Sequence, residues 1–315
     1  MRRTLPLLSL VLATLAGAPA ASAAEQTLAV EQEPFIADAY RGLIAWSSYD
    51  AGSATYRLRA LRDGRPLAVN VAPSRMPFDL DVGPGPDGRP LVVYARAGDL
   101  FQFDGATESP LAEVNSSLQE SQPSIRGNAL AFARQRGKRD TPVLYVRSGG
   151  DTKRQPRPRT ATGLEGVELS ARGLFATWRV PETRVCCSQA ILYRVKGSKL
   201  QHVFRVGSGG ANFGRLVSPS VAGSSVYFGR TNAGSGQGNT FFRYDLASKR
   251  LFSARGTGEA NTLTWQSTRF LLSRIYGEGC FARVGAPSRC KLALTDPIAF
   301  APASRRDADN TRPQR

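Results

Sequence analysis

The chain has 315 residues, a formal net charge of +17, four cysteines and a single histidine, and its size admits one or two domains. The cysteines lack zinc-ligand spacing and His202 is the only histidine, which argues against a structural zinc site. Beyond the N-terminal stretch no segment is long and apolar enough to span a bilayer.

The first residues read as a secretory signal. Arg2 and Arg3 form a positive n-region, Leu5 to Ala16 an apolar h-region, and Ala21-Ser22-Ala23 a small-residue cleavage site. Residues 1–23 are therefore expected to be removed and the remainder exported to the periplasm or beyond. No cysteine lies near the cleavage point, which argues against a lipid-anchored product.

From there a phrase recurs about every 40–50 residues. Its clearest copies are Gln122-Pro123-Ser124-Ile125-Arg126-Gly127 followed by Ala129-Leu130-Ala131-Phe132, and Ser218-Pro219-Ser220-Val221-Ala222-Gly223 followed by Ser225-Val226-Tyr227-Phe228. Each copy is a short strand, a glycine turn and an apolar second strand. The turns fall at Gly42, Gly88, Gly127, Gly173 and Gly223, with a glycine-less equivalent near Thr268. The apolar second strands suit burial on both faces. Third strands follow, such as Leu144-Tyr145 and Phe241-Phe242, and then more polar fourth strands. Leu67 to Val71, His202-Val203-Phe204 and Lys153 to Arg159 are candidates for the last kind; proline and charge suit a protected edge. The sixth repeat runs out before its fourth strand, whereas Gln26 to Val30 is strand-like before the first, so the N-terminal strand is expected to close the final blade. The polar segment 301–315 is expected to be disordered.

These repeats resemble the TolB-like, or PD40, class of WD40-like propellers. Pro86-Asp87-Gly88 with Leu91-Val92-Val93-Tyr94 matches that family's turn and strand, and Ile191-Leu192-Tyr193 and Tyr244-Asp245-Leu246 match its third strand and following turn. The resemblance implies a propeller that binds proteins or ligands, and it carries over no catalytic residue. The expected fold is all-β: one six-bladed β-propeller of four-stranded antiparallel blades over residues 24–300.

Loops between second and third strands are long at Ser47 to Ala54, Gln135 to Thr141, Val180 to Gln189, Thr231 to Asn239 and Ile275 to Arg289. They gather on one face, where binding is expected. An arginine recurs at the end of the second strand as Arg96, Arg134, Arg230 and Arg274. One reading is inter-blade bonding to first-strand acids such as Asp38, Asp79 or Glu168. The other is a guanidinium ring, joined by Arg136 and Arg139, that holds anionic groups bidentately. The denser basic run from Arg134 to Arg159 suits an anionic polymer or a solvated edge.

Cys280 and Cys290 flank one loop and are expected to pair. Adjacent Cys186 and Cys187 leave a vicinal disulfide, two free thiols or crossed pairing open. Catalytic signals are thin. His202 sits in an outer strand beside Val203 and Phe204, and Asp79, Asp81 and Asp87 lack calcium-loop spacing. No cofactor or metal is expected, and a basic stretch without interleaved aromatics does not suit nucleic acid. The expectation is a secreted, monomeric, non-catalytic module that binds a protein or an anionic envelope polymer on the long-loop face. Its rival is an extracellular glycan-cleaving hydrolase or lyase with acids converging at a central channel.

Overall fold

A computed structural model describes residues 25–33, 35–137, 140–181, 188–206, 213–216, 219–233, 240–255, 259–266, 269–276, 289–309 and 311. The strands form six antiparallel blades, each ordered from an inner to an outer strand. Blade one comprises Ala37–Tyr40, Leu43–Asp50, Thr55–Arg62 and Arg65–Leu67. Blade two is Asp79–Pro84, Pro90–Arg96, Asp99–Phe103 and Glu108–Pro110. Blade three is Gln119–Arg126, Ala129–Gln135, Val143–Ser148 and Asp151–Arg154. Blade four is Gly163–Ser170, Gly173–Pro181, Ser188–Lys196 and Lys199–Val206.

In blade five the segments Phe213–Leu216 and Ser220–Ala222 share the inner position against Ser225–Ala233, followed by Thr240–Asp245 and Leu251–Arg255. Blade six takes Glu259–Gln266, Arg269–Tyr276 and Arg289–Thr295 from the end of the chain. Its outer strand is Glu25–Glu31 from the beginning, paired antiparallel to Arg289–Thr295. The expected closure by the N-terminal strand is thus present, and it ties both ends of the ring into one sheet.

The second strands are packed on both sides, as the run of buried residues from Leu91 to Tyr94 illustrates among the described residues. The apolar clusters lie between blades. Leu43, Leu58 and Phe78 meet Val92 and Phe103 across blades one and two. Phe175, Leu192 and Phe204 meet Phe228 and Phe242 across blades four and five. The seam is filled the same way, with Ile44 and Trp46 of blade one against Leu271 and Leu292 of blade six. Dispersion and burial therefore hold the ring at every junction, including the one where the chain closes on itself.

Four expectations need correction. Residues 47–50, placed in a loop, continue the second strand of blade one, because they pair with residues 55–58 and leave a hairpin of only 51–54. The outer strand of blade one is Arg65–Leu67 rather than Leu67 to Val71. That of blade three ends at Arg154, before Pro156 and Pro158, which have no N–H to donate to a ladder. Where it is described, the segment after residue 300 carries regular structure: Ala301–Pro302 pairs with Phe252 and Ser253 outside blade five, and Arg305–Asp309 forms a short helix.

Hairpins joining first to second strands, and third to fourth, share one end of the ring. Neighbouring hairpins touch there: Gly127 N–H donates to the Pro84 carbonyl at 2.7 Å, and Arg172 Nε to the Gly223 carbonyl at 2.9 Å. The second-to-third connections occupy the opposite end. Of these, residues 182–187, 234–239 and 277–288 lie outside the described residues.

Candidate functional site

The inner strands surround a central channel, and alternation along each strand aims every second side chain into it. One position is polar in all six blades: Asp38, Asp81, Ser124, Glu168, Ser220 and Thr264. Asp38 accepts the Val82 N–H of blade two at 2.8 Å. Asp81 accepts the Ile125 N–H of blade three, and Ser124 Oγ the Leu169 N–H of blade four, each at 2.8 Å. Glu168 accepts the Val221 N–H of blade five. Thr264 Oγ in turn donates to the Asp38 carboxylate at 2.8 Å and links blade six to blade one. The result is a girdle in which, from blade one to blade five, one blade's side chain satisfies the backbone of the next, where no strand could supply the partner.

The girdle forms the waist of the channel. A chamber of about 190 Å³ opens toward the short hairpins and one of about 370 Å³ toward the long loops, with Asp38, Asp81, Glu168 and Thr264 lining both. In the wider chamber Asp79 accepts the Gln122 N–H at 2.7 Å, and Gln122 Nε2 donates to the Leu164 carbonyl at 2.7 Å. Glu165 there receives Arg179 at 2.6 Å.

Burial shifts these acids together. It raises Asp79 to about 6. Asp38 is raised by burial, against the pull of its hydrogen bonds. Burial raises Asp81 well above the usual range, and the charges of Asp38 and Glu168 add to it. Burial and the Asp38 charge do the same to Glu168. The carboxyls of Asp38 and Asp81 are also hydrogen-bonded to each other, closer than the roughly 5 Å or more that separates a glycosidase pair. Among the described residues no group of three or more His, Cys, Asp or Glu side chains is placed to hold a metal ion.

Arg96, Arg134 and Arg230 lie outside this channel; Arg134 meets a first-strand acid, Glu120 of its own blade, but Asp38, Asp79 and Glu168 are not their partners. Arg96 forks onto Glu108 of its own outer strand, at 2.6 and 3.1 Å, and lies over the Phe101 ring. Arg134 meets Glu120 at 2.8 Å and the Val114 carbonyl at 2.6 Å. Arg230 pairs with Asp307 of the C-terminal helix at 2.9 Å. Asp38, Asp79 and Glu168 are taken instead by backbone N–H groups of the neighbouring blade. Arg136 is exposed. Arg139 and the side chain of Arg274 lie outside the described residues.

His202 is far from the channel lining. Its Nδ1–H donates to the Thr311 carbonyl at 3.0 Å, and burial lowers its pKa. Cys290 is buried in blade six; Cys186, Cys187 and Cys280 lie outside the described residues. Sequence reading missed the girdle as a unit, although Ser124 and Ser220 follow the prolines of the two clearest repeat phrases. The signal was position within the repeat rather than residue type.

No protein-family model matches the sequence, and a search of curated proteins finds no match. Solved structures do match. A fucose-specific lectin from Aleuria aurantia is 10% identical with a TM-score of 0.54, over 84% of this chain and 97% of that one. An oligogalacturonate lyase in complex with manganese is 10% identical with a TM-score of 0.51, over 87% and 93%. TolB from Acinetobacter baumannii is 18% identical with a TM-score of 0.49, over 83% and 67%. The chain spans half the length of the puromycin hydrolases it also matches. The ring agrees with the TolB-like resemblance of its repeats, and the likeness throughout is one of fold: the chain is a six-bladed β-propeller.

Proposed function

We propose that this chain is an exported, non-catalytic binding module that holds a protein partner on the long-loop face, over the wider mouth of the channel. One observation carries the reading. The exposed large apolar side chains Val30, Ile36 and Met76 all lie toward that end, at the finish of the N-terminal strand, the entry to blade one and the crossing to blade two. Apolar side chains beside satisfied ion pairs suit a protein surface. An anionic polymer on this face has less to hold, since Arg96, Arg134 and Arg230 already have carboxylate partners. Export rests on the N-terminal segment, and no helix among the described residues is long and apolar enough to cross a membrane.

A photo-crosslinking residue at position 36 or 76 tests this in the native envelope, with positions 63 and 104 on the opposite end as controls. A discrete protein adduct from the first pair, lost when Ile36→Glu is added, supports the module. Equal labelling from both ends removes its basis.

A second reading, cleavage of a glycan, is favoured by Asp79. Its carboxyl lies in the wider chamber with a pKa near 6, within the range of a general acid. Turnover of an oligosaccharide that disappears in Asp79→Asn, with the fold intact, would establish that reading over the first.

A further inference from the structure

We propose that the opposite face, built from the short hairpins, docks on an anionic lipid bilayer. Toward the long loops, Arg57, Arg96, Arg134, Arg179 and Arg230 each meet a carboxylate at 2.6–3.1 Å, while Arg75, Arg136 and Arg159 are exposed without one among the described residues and lie scattered on separate connections. At the short-hairpin end Arg41, Arg62, Arg65, Arg126 and Arg172 are exposed, with no carboxylate at ion-pair distance among the described residues.

Their contacts leave the charge in place. Arg41 lies over the Tyr40 ring, Arg172 donates to the Gly223 carbonyl, and Arg126 feels Glu168 at the channel waist without an ion pair. Acids on this face sit within their own turns, outward of the channel mouth, where Asp104, Asp151 and Asp245 keep their charge and offset part of the basic rim. Asp87 pairs with Arg89, Asp104 accepts the N–H groups of Ala106 and Thr107, and Asp245 accepts from Ser248. Asp63 is exposed beside Arg62 and Arg65 and offsets part of their charge.

The shape selects the partner. Arg41, Arg126 and Arg172 sit on hairpin tips of blades one, three and four around the channel mouth, and Arg62 and Arg65 flank the next hairpin outward in blade one. Tips at one end of every blade make a rim rather than a cleft. A rim of guanidinium groups suits a flat sheet of phosphates, each of which an arginine can grip with two N–H donors. A single polymer strand would find no groove. Among the described residues the exposed large apolar side chains lie at the other end, so attachment is electrostatic, without insertion, and is screened by salt.

This face is independent of the protein-binding surface, and one can fail without the other. The purified chain is sedimented with vesicles of phosphatidylcholine containing phosphatidylglycerol, and with phosphatidylcholine alone, at low and high salt. Binding is expected only to the anionic vesicles and only at low salt. Replacing Arg41, Arg126 and Arg172 together by Gln is expected to weaken it on the order of a hundredfold. Arg136→Gln, an exposed arginine toward the other end, leaves it unchanged, and thermal unfolding checks that the triple variant is folded. Equal binding to both vesicle types, an equal loss from Arg136→Gln, or capture by soluble polygalacturonate without vesicle binding would each overturn the proposal.

Discussion

The girdle position asks one thing of a side chain: an oxygen able to accept an N–H from the blade ahead. Asp38, Asp81, Ser124 and Glu168 all meet that demand, which is why the position tolerates Asp, Ser and Glu alike. Ser124 is fully buried and is the acceptor found for the Leu169 N–H. Ser124→Ala orphans that donor and is expected to cost about 1–3 kcal/mol, read by denaturant unfolding; an unchanged midpoint would mean the bond adds nothing. The neighbouring backbones also approach closely. A Cβ on Gly83 would lie 2.2 Å from the Ile125 carbonyl oxygen. Because a backbone atom cannot swing aside, Gly83→Ala must push the inner strands of blades two and three apart. The expected loss is roughly 1–3 kcal/mol, whereas Gly64→Ala, with nothing near its Cβ position but a positive φ, pays only backbone strain.

At the scale of elements, strands were legible in the sequence because their cores are local: an apolar second strand announces its burial by its own residues. The C-terminal segment was not legible. Its composition is polar, and its order is supplied by surfaces far away in the chain. Ala301–Pro302 adds to the edge strand Leu251–Arg255, and Phe300 packs beside Tyr227. Asp307 reaches Arg230 in blade five, and the Thr311 carbonyl reaches His202 in blade four. The segment is thus a strap across the outside of two blades. Truncation after residue 300 is expected to leave the ring closed but to speed amide exchange in Leu251–Arg255 and Lys199–Val206. Asp307→Ala alone should cost about 1 kcal/mol, since both partners are mostly buried. Exchange that ignores the truncation would show the strap to be decoration. The long loops stand at the other limit: sequence located them, yet the girdle beneath the channel mouth came only from bringing six distant positions together.

The whole molecule combines a formal charge of +17 with a waist of carboxyls that burial keeps partly protonated. Folding raises the pKa of Asp38, Asp79, Asp81 and Glu168, so between the ordinary carboxylate range and their folded values the native ring holds protons that the unfolded chain has released. Stability is therefore full below about pH 4 for these groups and is lost as pH rises through their folded pKa values, near 6 for Asp79 and well above the ordinary carboxylate range for Asp81 and Glu168. Repulsion among the exterior arginines changes little over that interval, since they stay charged throughout. Asp81→Asn isolates the effect. The amide oxygen can still accept the Ile125 N–H and the amide nitrogen can donate to Asp38, but nothing at the position ionises. At about pH 3.5, where the unfolded carboxyl is still largely protonated, the variant and the parent are expected to unfold at nearly the same temperature. At pH 8 the variant should unfold higher, by roughly 3–6 °C for a chain of this size. A variant less stable than the parent at pH 8 would mean that the ionised carboxylate itself braces the ring, and the girdle would then be a charged structure rather than a proton-sharing one.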